Sequence, residues 1–210
     1  MEPIIKKTEE NKIINKKSTK ISVRDICLIG IMVAVIEVCK VTMAFLPNIE
    51  LTTFWLIMFT LFFGTKVAFV VPVFILLEGA IYGFGTWWVM YLYTWPLLVI
   101  ITWIFRKKDN VWFWSILASV FGFMFGFFCS FPYAVMGAAD GGIRGALYAG
   151  FTWWVAGIPF DLMHGVSNFV LMLVLYRPIR SLLKKIDKYS NKNIKSPRIR
   201  QCPINSRSIS

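Results

Sequence analysis

The sequence is poor in the residues that most soluble proteins use for chemistry. Its 210 residues include one histidine, four cysteines and 11 acidic residues, and charged residues of both signs make up only 16%. Cys27, Cys39, Cys129 and Cys202 form no C-x-x-C pair, so with a single histidine neither a zinc site nor a disulfide framework is predicted. No G-x-x-x-x-G-K-[ST] segment occurs, which excludes that route to ATP hydrolysis. Active transport by this chain would therefore draw its energy from a partner or from an ion gradient. No cofactor is expected.

What the sequence has in excess is apolar surface and positive charge. Hydrophobic residues make up 57%, with 19 Phe, 9 Trp and 7 Tyr, and the mean hydropathy is +0.64. A soluble domain carries about 25% charged and about 45–50% apolar residues, and this chain departs in both directions at once. So many large apolar side chains also exclude disorder. The expected class is an all-α integral membrane protein. At about 20 apolar residues per crossing, the length allows six transmembrane helices with short loops, and no separate soluble domain.

The formal charge of +12 sets the orientation. Seven Lys/Arg lie in residues 1–25, three in Arg106 to Lys108, ten in 177–210, and Lys66 stands in a short turn; only Lys40 and Arg144 fall elsewhere. Short loops rich in Lys and Arg stay on the cytoplasmic side, so both termini are expected to be cytoplasmic and the number of crossings even. Apolar runs at about 25–45, 48–63, 67–85, 87–105, 111–135 and 149–176 satisfy this. The run at 51–77 could instead be one long helix, but that would leave five crossings, so a hairpin broken at Gly64 is expected. Residues 1–20 and 187–210 read as flexible basic tails flanking a membrane domain at 21–186, with anionic lipid contact as a secondary role. No recognition motif accompanies them, so nucleic acid is not an expected partner. The first run is followed by Glu37 and Lys40 and lacks a small-x-small site, unlike a cleavable signal.

Polar residues inside the apolar runs carry the functional information. Each charge at a helix centre costs about 2.5–3.5 kcal/mol and needs a partner or a wet cavity. Glu37 and Lys40, three apart, can pair with each other or contact a ligand. Glu50 opens the second run, where it can be solvated or favour a helix N-terminus. Glu78 has no cation near it in sequence and must find one in space, which makes it a site candidate. The sixth run contains Asp161, His164 and Asn168 at i, i+3 and i+7, one face that must look inward. That face is either a helix-packing network or the wall of a ligand cavity.

Aromatic and small residues add to this. Trp88, Tyr91 and Trp95 recur at i, i+3 and i+7 below the outer interface, and Trp153 begins the sixth run; they form an interfacial belt or a stacking surface for a flat heterocycle. Gly30 and Ala34 make a G-x-x-x-A step, and Gly122 and Gly126 a G-x-x-x-G step, where helices can approach within the chain or with a partner. The Gly137–Gly145 segment reads as an outer loop, either a lid or an ordinary mobile connection.

Six short helices with both tails inside, the Gly30/Ala34 step, Tyr93-Thr94-Trp95-Pro96 before an Arg-Lys loop, and Gly157-Ile158-Pro159-Phe160-Asp161-Leu162-Met163-His164 in a last run ending at Tyr176-Arg177-Pro178 together resemble the substrate-binding S component of energy-coupling factor (ECF) transporters. The resemblance spans about 21–186. It implies capture of a vitamin or related micronutrient from outside, association with a transmembrane coupling subunit and two cytoplasmic ATPases, and toppling of the S component in the bilayer to release substrate. It also implies docking on the coupling subunit through the first helix, where the family often has A-x-x-x-A and this chain has Gly30 and Ala34. The expected site is Glu78, Trp88, Tyr91, Trp95, Trp153, Asp161, His164 and Asn168, with a nitrogen heterocycle bearing a donor or a positive charge as ligand. No catalytic activity and no metal are expected. Two alternatives remain: an ion-coupled transporter acting alone, for which no matching interrupted halves are seen, and a membrane-embedded enzyme or assembly factor using Asp161 and His164 as a catalytic pair.

Overall fold

A computed structural model describes the backbone of residues 21–46 and 49–195, with side chains up to residue 186. Seven α-helices follow one another: α1 (Val23–Met43), α2 (Thr52–Phe63), α3 (Val67–Tyr82), α4 (Thr86–Phe105), α5 (Val111–Phe123), α6 (Phe125–Cys129) and α7 (Phe131–Lys195). No strand occurs among the described residues. Local chemistry sets several ends. Ser22 and Asp25 form a capping box at the start of α1, and the Asn110 side chain accepts the Trp112 N–H at 2.9 Å to start α5. A 3₁₀ turn at Gly64–Lys66 separates α2 from α3. Gly64 there has φ 57°, which a side chain would resist.

Contacts at the two ends of α1 show which way its neighbours run. Trp55, early in α2, donates its indole N–H to Cys39 Sγ late in α1 at 3.2 Å. Lys66, just before α3, pairs with Asp25 at the start of α1. Lys40 near the end of α1 pairs with Glu78 near the end of α3. So α2 is antiparallel to α1, α3 is parallel to it, and the chain reverses at Gly64 as its sequence predicts. Beyond that, α4 returns alongside α3, α5 runs back along α4 with Phe105 against Phe113 and Trp95 against Phe121, and α7 descends along α5.

Four stretches are long and apolar enough to cross a membrane: Val23–Met43, Thr52–Tyr82, Thr86–Phe105 and Val111–Ile186. The second reverses at Gly64 and the fourth folds back at Gly141–Gly142. The helices are unequal in length. At 1.5 Å per residue α2 is about 18 Å long, well short of a hydrocarbon core of about 30 Å. It is instead enclosed by the other helices, with Phe54, Leu56, Ile57 and Met58 almost fully buried.

Apolar side chains face outward as well as inward. Outward faces carry Ile31, Val38, Ile104, Ile116, Val170 and Val174, while Glu37, Glu78, Asp161, His164 and Asn168 are buried within a largely apolar core. An aliphatic exterior with ionisable groups held inside is what hydrocarbon solvent selects.

The structure departs from the sequence reading in three places. Residues 137–149 are not a loop: α7 is helical on both sides of a bend confined to Gly141 and Gly142, whose φ/ψ are (−137°, 19°) and (59°, −147°). The two arms, 131–140 and 143–195, lie so close that a Cβ on Gly137 would come within 2.6 Å of Ala149 Cβ. Gly137 and Gly145 thus serve contact between the two arms, and Tyr133 stacks on Trp153 at 3.6 Å across the same interface. The expected run 111–135 is also broken, at Met124 and Ser130. Finally, the last helix passes through Pro178 and continues to Lys195, across the expected start of the 187–210 tail; residues 1–20 and the remainder of that tail, 196–210, lie outside the described residues.

Candidate functional site

Lys40 stands three residues before the end of α1 and Glu78 four before the end of α3, so parallel packing brings them level. Glu78 Oε2 accepts from Lys40 Nζ, and the Glu78 side chain is fully buried. Glu78 therefore finds its cation in space. Lys40 pairs with it rather than with Glu37 three residues away. Tyr91 Oη lies 3.4 Å from the same ammonium, and the rings of Tyr82, Tyr91 and Phe74 face it at 5.3, 5.3 and 6.0 Å. Glu37 sits behind this group with both carboxyl oxygens buried, beside the Glu78 carboxyl and near Lys40.

This charged group forms one wall of a cavity of about 420 Å³. Glu50, which precedes α2, His164 of α7, Trp87 and Phe125 also line it. Glu50 Oε2 accepts from the Thr52 hydroxyl at 3.2 Å, while Glu50 Oε1 lies 4.0 Å from His164 Nε2, too far for a hydrogen bond. The His164 ring packs on Phe125 at 4.9 Å and Nε2 has no hydrogen-bond partner. A second cavity, of about 320 Å³, lies on the other side of His164 and Phe125 and is bounded by Asp161, Trp153, Met90 and Cys129. Asp161 Oδ1 accepts from the Gly126 N–H at 2.8 Å and Oδ2 is unpartnered.

The expected site residues thus divide. Glu78, Tyr91 and His164 meet at the larger cavity, and Asp161 and Trp153 meet His164 at the smaller one. Trp88 turns away, donating its indole N–H to the Ile75 carbonyl at 2.8 Å and packing against Phe84; the ring at the cavity is its neighbour Trp87. Trp95 is wholly buried behind Tyr91 among Phe74, Phe121 and Phe125. Asn168 shares the inward face of α7 but donates to the Ala118 carbonyl at 3.4 Å, joining α7 to α5.

The small-residue steps also divide. A Cβ on Gly122 would lie 2.8 Å from Gly165 Cα, so the α5 step is used within the chain, against α7. Gly30 has nothing within 4 Å of its Cβ position and Ala34 is exposed, leaving the α1 step on the outer surface. Sequence reasoning did not assign Lys40, Glu50, Tyr82, Trp87 or Phe125 to one site. The depth of Lys40 and Glu78 from their helix ends is the one signal that could have paired them. Among the described residues no group of His, Cys, Asp and Glu could hold a metal ion. No protein-family model, curated protein or solved structure matches the chain.

Proposed function

We propose that this chain is the substrate-specific S component of an ECF-type importer in a prokaryotic plasma membrane, with six crossings and both termini cytoplasmic. It captures a vitamin or related micronutrient from outside and hands it inward together with a transmembrane coupling subunit and two ATPases. One observation carries the reading. The cavity formed by Lys40, Glu50, Glu78, Tyr91 and His164 lies at the end of the bundle opposite the Asp25–Lys66 and Asp109–Arg180 pairs. Those pairs mark the basic turns, which the charge rule puts inside, so the cavity opens outward. A binding subunit that lacks its own nucleotide site needs such a cavity, together with a surface for its partner. The exposed Gly30/Ala34 step on α1 is suited to close helix contact of that kind.

Affinity purification from mild detergent tests the reading. Recovery with a membrane subunit and two ATPases is expected, and Gly30→Val should reduce that recovery without unfolding the chain. Recovery of the chain alone under conditions that preserve other membrane complexes would contradict it.

A further inference from the structure

In and behind its wall the larger cavity has three carboxyl groups, Glu37, Glu50 and Glu78, and one ammonium; Glu37 and Glu78 lie carboxyl to carboxyl, close enough to share a proton, which leaves Glu50 as the negative charge without a counter-ion. That ammonium is committed. Lys40 is engaged by Glu78 and the Tyr91 hydroxyl and faced by three aromatic rings, the environment that binds alkylammonium groups in general. In the same cavity two acceptors converge, and among the described residues none donates to either atom: Glu50 Oε1, and Nε2 of His164, whose side chain is only 4% exposed. They are 4.0 Å apart. A nitrogen about 2.9 Å from each would subtend roughly 90°, within reach of two N–H bonds of one ammonium or amidine group. An anion would meet a wall already in excess of negative charge. A neutral ligand would leave that excess uncompensated in a medium where unpaired charge is costly.

We propose that the cavity binds a small organic cation, a protonated amine or amidine on a flat ring, whose nitrogen donates to Glu50 Oε1 and to His164 Nε2 as the Nδ1–H tautomer. The ring lies between Trp87 and Phe125, and Lys40 in its aromatic box is a tethered neighbour of the same chemistry. The proposal rests on the reading of the cavity as an outward ligand site and narrows the ligand by its charge. It also moves recognition from Asp161 and Trp88 to Glu50 and Trp87.

Three probes with one ring and different charge test it by calorimetric titration of the purified full chain: benzylammonium, benzyl alcohol and phenylacetate. Benzylammonium is expected to bind, benzyl alcohol roughly tenfold or more weakly, as for loss of one charge-assisted hydrogen bond, and phenylacetate not at all. Glu50→Gln keeps the shape and removes the charge; it should bring benzylammonium down to the level of benzyl alcohol while thermal unfolding stays near that of the parent. Equal binding of the three probes, tighter binding of phenylacetate, no binding of any probe at millimolar concentration, or an unchanged cation preference in Glu50→Gln would overturn the proposal. The parent series needs no variant to fold. Because it uses the chain alone, a cation preference without recoverable ATPase partners would sink the importer reading and leave this one standing. Partner recovery with an anion preference would do the reverse.

Discussion

Lys40 Nζ and Glu78 Oε2 form an ion pair between the ends of two parallel helices, with the carboxylate fully buried and the lysine side chain 21% exposed. A pair of this kind holds α1 against α3 and at the same time shapes the cavity. Removing one partner leaves a charge in a place that cannot solvate it, at a cost of about 3–5 kcal/mol for a fully buried pair. Lys40 retains some access to solvent, so the lower end is expected. Lys40→Met should lower the thermal unfolding temperature, and Lys40→Met with Glu78→Met should recover most of the loss, as measured by unfolding in detergent. A double variant no better than the single would show that the pair does not act as a unit.

The α5–α7 interface depends on the absence of a side chain at Gly122, where a Cβ would press on the backbone of Gly165. Overpacking of this sort costs about 1–3 kcal/mol. Gly122→Val should therefore destabilise the isolated chain, whereas Gly30→Val, facing open space, should leave its unfolding unchanged. Unfolding curves of the two variants side by side check this.

Asn168 and His164 lie on one helix face yet have different contacts. Asn168→Ala removes the hydrogen bond to the Ala118 carbonyl and should cost about 1 kcal/mol of stability with ligand affinity unchanged. His164→Ala should weaken benzylammonium binding with a smaller effect on stability. Titration and unfolding of both variants separate the roles, and a ligand defect confined to Asn168→Ala would contradict the assignment.

The orientation can be checked residue by residue. In a background with the four cysteines replaced by serine, a cysteine at Gly141 should react with a membrane-impermeant maleimide added to intact cells, and one at Lys107 only after the membrane is opened. Labelling of both from outside would overturn the proposed six-crossing arrangement.

Much of the fold was legible because the length of apolar runs and the glycines between them are strong signals. The reversal at Gly64 follows from a glycine between two apolar runs beside Lys66, and the inward face of Asp161, His164 and Asn168 from their spacing. The site was less legible, for physical reasons. Glu37 is as near to Lys40 in sequence as a partner needs to be, so only packing decides that Glu78 takes the ammonium. Trp87 and Trp88 are adjacent, and whichever faces the cavity depends on where Phe84 and the Ile75 carbonyl fall. The Gly137–Gly145 segment reads as a loop because glycine favours turns, but glycine equally permits two helices to touch: here Gly141 and Gly142 make the bend, and Gly137 and Gly145 let the two arms meet. Glu50 looked like an interfacial charge because its counterpart, His164, lies more than a hundred residues away in the chain.

We propose that this chain captures a ligand from outside and depends on partners to move it. Proteoliposomes containing the chain alone, or with the membrane subunit and ATPases recovered with it, measure this directly through uptake of a ligand identified by titration. Uptake is expected only when the partners are present and ATP is supplied on their side. Uptake by the chain alone, driven by an ion gradient and indifferent to ATP, would contradict the account.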